Sequence, residues 1–74
     1  MTEVETDRAI LAAAHAWAKA KRAHIEAHVA FAVSAYGMDA EAKARNTQAY
    51  LTAHAAYVAA ESALLAVLQD SATP

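Results

Sequence analysis

Residues 31–41 read Phe31-Ala-Val-Ser-Ala-Tyr-Gly37-Met-Asp39-Ala-Glu41. Gly37 is the one glycine in a chain of 74 residues. Glycine enters left-handed backbone without a side-chain clash and commonly follows the last turn of a helix. Asp39 offers a short acceptor for the free amides of a helix that begins just after it, and Glu41 adds negative charge to that first turn. This stretch therefore predicts one helix ending near Tyr36, a turn at 37–39 and a second helix from about residue 40. On both sides of it the chain is rich in alanine, 24 of 74 residues, and the one proline is Pro74. Alanine favours helix because it has no side-chain entropy to lose. At the other end of the first helix, Thr2 and Thr6 are both candidate caps, Thr2 with Glu5 has capping-box spacing, and Glu3, Glu5 and Asp7 suit the positive end of the helix dipole. The expected fold is all-α: a single antiparallel two-helix hairpin domain over 1–74, with helix 1 about 6–36, the turn at 37–39, helix 2 about 40–69 and a short polar tail at 70–74. Each helix is roughly 45 Å long at 1.5 Å per residue, and a connection of two or three residues forces the two to run antiparallel.

The large apolar residues recur every seven positions. Ile10, Trp17, His24 and Phe31 form one row in helix 1, with Leu11, Ala18, Ile25 and Ala32 beside it. Tyr50, Tyr57 and Leu64 form a row in helix 2, with Leu51, Val58 and Leu65 beside it. A strict seven-residue repeat predicts a coiled-coil seam. The expected interface anchors are Ile10, Trp17, Phe31, Tyr50, Tyr57, Leu64 and Leu68. Folding the chain about the turn sets Trp17 near Ala59 and Ile10 near Ala66, large residue against small. Val29, Val33, Tyr36 and Val67 fall off the seam. Two helices cannot cover them, and the chain has no cysteine for a disulfide or a thiolate metal site. Completion of a helical bundle by a homo-oligomer, with a dimer favoured, or by a helical protein partner follows as the expectation.

Five polar residues interrupt the apolar stripes: Lys21, His24 and His28 in helix 1, His54 and Glu61 in helix 2. Buried polar groups are costly unless partnered. As a polar layer in the seam they would specify register and oligomer state. In that layer Lys21 extends its ammonium to the edge, His24 and His54 bond each other or a tyrosine, and Glu61 accepts from His15 or from a cation on a partner chain. Facing imidazoles would repel when protonated, which predicts a change in assembly between about pH 8 and pH 5. The alternative is a small metal- or ligand-binding bundle. His24 and His28 have the i, i+4 spacing that puts two imidazoles on one face, and His54 would lie about a turn away across the hairpin. No Glu-x-x-His motif accompanies them, and no cofactor is expected.

A net charge of −2 lacks the basic excess of a general nucleic-acid binder. Lys19, Lys21, Arg22, Lys43 and Arg45 are few and scattered, which leaves a nucleic-acid-binding hairpin as a second alternative. Residues 49–68 are the nearest to a membrane span. Most of their apolar residues are alanine and they include Glu61 and His54, so no membrane role is expected. The acidic start lacks the basic and apolar regions of a signal peptide, and the expected location is cytoplasmic. Serine and threonine have no base at a recognisable spacing and there is no glycine-rich phosphate loop, so no enzyme is expected.

The stretch Ala9–His28, AILAAAHAWAKAKRAHIEAH, resembles the small Ala-rich helical proteins of actinobacteria and actinobacteriophages. That resemblance implies a phage-encoded virion component or a host-interacting protein. Tyr57-Val-Ala-Ala-Glu61 is similar to the Tyr-x-x-x-Asp/Glu signal of the Trp-x-Gly family of secreted helical hairpins, which pair as dimers. Where that family has Trp-x-Gly, this chain has Ala35-Tyr36-Gly37, it is shorter, and Tyr57 lies within the helix. The function expected from all of this is a non-catalytic structural or protein–protein interaction module that self-associates or docks on a larger assembly.

Overall fold

A computed structural model describes residues 2–72: the cap Thr2, two helices, α1 (Glu3–Val33) and α2 (Ala40–Ala72), and their connection. They pack side by side as a hairpin with extents of 54 × 14 × 13 Å. The expected hairpin is therefore present, with different ends. α1 begins at Glu3 because Thr2 wins the cap from Thr6. The Glu5 amide donates to Thr2 Oγ1 at 3.2 Å and the Thr2 amide donates to Glu5 Oε2 at 3.2 Å, which completes the capping box. Thr6 instead donates its hydroxyl to the Thr2 carbonyl.

At the turn, α1 stops at Val33, three residues before the expected end. Ser34 donates its hydroxyl to the Phe31 carbonyl at 2.6 Å. The amides of Ala35 and Tyr36 bond the carbonyls of Ala32 and Val33, the tighter i→i+3 pattern that often closes a helix. Gly37 then takes φ +96°, which ends the run of right-handed turns. The connection is thus residues 34–39, longer than the two or three expected. Asp39 caps α2 as anticipated, its Oδ1 accepting from the Ala42 amide at 2.7 Å. Residues 70–72, expected in a polar tail, continue α2, while the rest of that tail, Thr73 and Pro74, lies outside the described residues.

The seam keeps one predicted row in each helix and replaces the row expected beside it. The half-buried residues of α1 follow Ile10, Trp17 and His24, and a second row Thr6, Ala13, Ala20 and Ala27, with Ser34 buried at its end. In α2 they follow Tyr50, Tyr57 and Leu64, and Asn46, Ala53, Ala60 and Val67. The rows holding Leu11 and Ile25, and Leu51, Val58 and Leu65, stand about half exposed. The reason is angular. A seam needs rows three and four residues apart, whereas the row one residue on lies about 100° round the helix. Alanine fills the second seam row and lets the two backbones come close.

No apolar side chain among the described residues is buried; the buried residue is Ser34, 4% exposed. Near the turn Asn46 crosses the seam, its Nδ2 donating to the Ala30 carbonyl at 3.3 Å and approaching Met38 Sδ at 3.4 Å. By length and composition α2 could cross a membrane, with a stretch of mean hydropathy 1.5. The same helix carries Lys43, Arg45, Asn46, Glu61 and Asp70 along its length.

A Cβ at Gly37 meets no atom within 4 Å, so the cost of replacing it is one of backbone conformation alone. Gly37→Ala should destabilise the fold by about 1–2 kcal/mol, with Gly37→Asn costing less because asparagine tolerates the left-handed region. Chemical denaturation of the two variants checks this; equal stability of Gly37→Ala and the parent would contradict the turn geometry.

Candidate functional site

Both helices carry their large row at the same place in the seven-residue repeat, followed three residues later by the small row. When two such helices run antiparallel, equivalent positions fall on the same edge. The hairpin therefore has one edge lined with rings and one lined mainly with methyl groups. On the ring edge Trp17, Tyr57, His24, Tyr50 and Phe31 alternate between the helices like rungs. Successive ring centroids lie 6.2, 5.2, 5.4 and 5.1 Å apart. His24 stacks on Tyr57 with planes 1° apart, and Phe31 on Tyr50 with planes 24° apart. These distances are the range in which aromatic pairs attract beyond simple burial. The contact of Asn46 with Ala30 keeps the expected register, in which Trp17 is level with Ala59, and Trp17 also meets Tyr57 because the two large rows share an edge.

The five polar residues gather on this same edge. Only His24 is half-buried in the seam; Lys21, His28, His54 and Glu61 stand exposed beside the ladder and form no enclosed layer. They lie four residues beyond members of the large rows or of their continuation, which turns them from the seam toward solvent. His54 Nδ1 meets His24 Nε2 at 3.3 Å. One nitrogen donates and the other accepts, so the pair shares one proton in this contact. His28 packs its ring edge-on against Tyr50, with centroids 5.4 Å apart. Lys21 extends its ammonium over the Trp17 ring, 4.8 Å from the centroid, a cation–π contact. Tyr57 donates its hydroxyl to Glu61 Oε2 at 3.1 Å. Glu61 thus accepts from the residue four before it on its own helix, a donor other than the expected His15 or partner-chain cation.

The Tyr57 phenol is held above its ordinary pKa, first because its proton is committed to Glu61, then by desolvation and by the nearby carboxylate charge, with an opposing contribution from Trp17. Folding therefore favours the protonated phenol. That contribution to stability is present below the ordinary phenol pKa and is lost as pH rises through the raised value.

The residues proposed for metal come together only in part. His24 and His54 touch, while the centroids of His28 and His24 are 6.3 Å apart. Among the described residues no group of three or more His, Asp or Glu side chains is disposed to hold a metal ion. An open depression of about 410 Å³ runs along α1 beside His24, Ile25, His28 and Val33. Its walls are largely apolar, and no carboxylate or hydroxyl lines it. Of the cations that suggested nucleic acid, Arg45 pairs with Glu41 at 3.6 Å and Lys21 is on the ring edge.

The expected interface anchors fall mostly in the intrachain seam. Ile10, Trp17, Tyr50, Tyr57 and Leu64 are half-buried in the intrachain seam, with Phe31 and Leu68 about 40% exposed. The large apolar side chains left outward include Leu11, Ile25, Leu51, Val58 and Leu65, the rows expected beside the seam, and also Val4, Val29, Val33 and Tyr36. Asn46 went unnoticed in the sequence, although an amide in a row of alanines was its signal. Comparison with protein-family models, with curated proteins and with solved structures finds no match to this chain. Neither resemblance drawn from the sequence gains support.

Two outcomes are expected. His24→Ala removes a ring in contact with Tyr50, Tyr57, His28 and His54 and should cost about 1–2 kcal/mol in urea denaturation, while His28→Ala, at an exposed position, should cost less than about 0.5 kcal/mol. Glu61→Gln should lower the Tyr57 pKa, as followed by ultraviolet absorbance of tyrosinate; an unchanged titration would show that Glu61 does not hold the phenol proton.

Proposed function

We propose that this chain is a non-catalytic interaction module that completes its fold by self-association or by docking along other helices of a larger assembly. The observation that carries this reading is the absence of any buried apolar side chain among the described residues, beside a continuous outward row of aliphatic ones. Fixing each residue costs about 1–2 kcal/mol of backbone entropy. Covering a large apolar side chain fully contributes about 1.5–3 kcal/mol, and among the described residues of the lone hairpin no such side chain is fully covered. Large exposed apolar patches on a small chain mark contact surfaces. The seven-residue spacing of both the seam and the outward row supports coiled-coil packing as the form of that contact.

Light scattering is expected to return a mass of at least two chains, and the thermal midpoint should rise with protein concentration, as mass action requires of a fold coupled to association. A single chain that melts cooperatively at a midpoint independent of concentration would overturn the proposal. Flotation of the protein with neutral lipid vesicles would also overturn it, by assigning the apolar face of α2 to a bilayer.

A further inference from the structure

Resting on that association, we infer that the ring-bearing face is closed by a second copy of this chain, related by a two-fold axis parallel to the rods, so that the two turns lie at the same end and α1 of each copy lies on α2 of the other. Register, the first feature, permits this arrangement, and charge, the second, selects it. The register that sets Asn46 against Ala30 in the hairpin also sets Ile25 level with Leu51 and Leu11 level with Leu65. All four side chains are about half exposed. A two-fold along the rods exchanges the helices at constant level, so Ile25 meets the partner's Leu51 and Leu11 meets the partner's Leu65.

The second feature is charge. Lys21 on α1 and Glu61 on α2 are opposite charges on this one face. The ammonium sits 4.8 Å from the Trp17 centroid, the carboxylate 3.1 Å from the Tyr57 hydroxyl, and those two rings are 6.2 Å apart. Both charges are therefore held on the rings of one Trp17–Tyr57 pair, near the middle of both helices. Among the described residues the ion pair present is Arg45 with Glu41, so neither Lys21 nor Glu61 has an ionic partner inside the hairpin. The parallel two-fold places Lys21 of each copy over the partner's Glu61. Turning the second copy end over end would instead bring Lys21 onto the partner's Lys21 and Glu61 onto the partner's Glu61, a like-charge juxtaposition that disfavours association.

Charge reversal tests this. Lys21→Glu alone and Glu61→Lys alone should each weaken self-association at least about tenfold in light scattering, with helicity by circular dichroism unchanged because both positions are exposed. An equimolar mixture of the two variants should restore the assembly as a hetero-pair, since both cross-copy contacts then become attractive. Lys21→Glu protein that associates as tightly as the parent, or a mixture that fails to recover, would overturn the arrangement while leaving association itself intact. A parent chain that is monomeric at all concentrations would overturn the broader reading as well.

Discussion

Two helices lying side by side share one line of contact, and everything else about this molecule follows from how little that line can cover. Each helix has only the strip facing its neighbour to hide, and here half of that strip is alanine. The small row allows close approach but removes little surface from water. The large row supplies most of the contact, and it does so as a ladder of rings along one edge. Stability in the hairpin is thus a matter of stacking and close backbone packing along a line, with no enclosed centre.

The polar residues take their places from the same geometry. A side chain four positions beyond a seam residue stands at the border between contact and solvent. Lys21, His28, His54 and Glu61 occupy such border positions, and all but His28 bond or cap a member of the ladder: Trp17, His24 and Tyr57. His28 rests its ring on Tyr50. Their charges and protons are held by neighbours while one side remains open. This is how an edge rich in rings stays hydrated in the free hairpin and still presents defined charges to whatever lies on it.

The fold was legible because its signals are local. Gly37 and Asp39 mark the turn, Thr2 with Glu5 marks the start, and alanine fixes the state of everything between. Helix ends were less legible, since Ser34 closes α1 through a side-chain bond that propensity does not announce. The second row of the seam was misread for a physical reason. Bulky residues draw attention to the row of Leu11 and Ile25, whereas the second row of this contact is mostly alanine. Alanine occurs on every side of α1 and so carries no directional signal. The contact of His24 with His54 was foreseen from spacing. The ring ladder was not, although its sign was present: both helices set a large residue three places before a small one, and antiparallel pairing puts such matched positions on one edge.

That equivalence of the two helices reaches beyond the closed hairpin. Ile10 and Trp17 hold in α1 the places that Tyr50 and Tyr57 hold in α2, and Lys21 holds the place of Glu61. An α1 that left its own α2 and lay along that of another molecule would find the same rungs in the same order. The seam thus has no preference between a strand folded back on itself and an opened chain trading arms with its neighbour. The preference resides in residues 34–39, where the i→i+3 turns and the left-handed Gly37 hold the chain bent. Six residues of connection are what keep this protein from being a link in a longer cable.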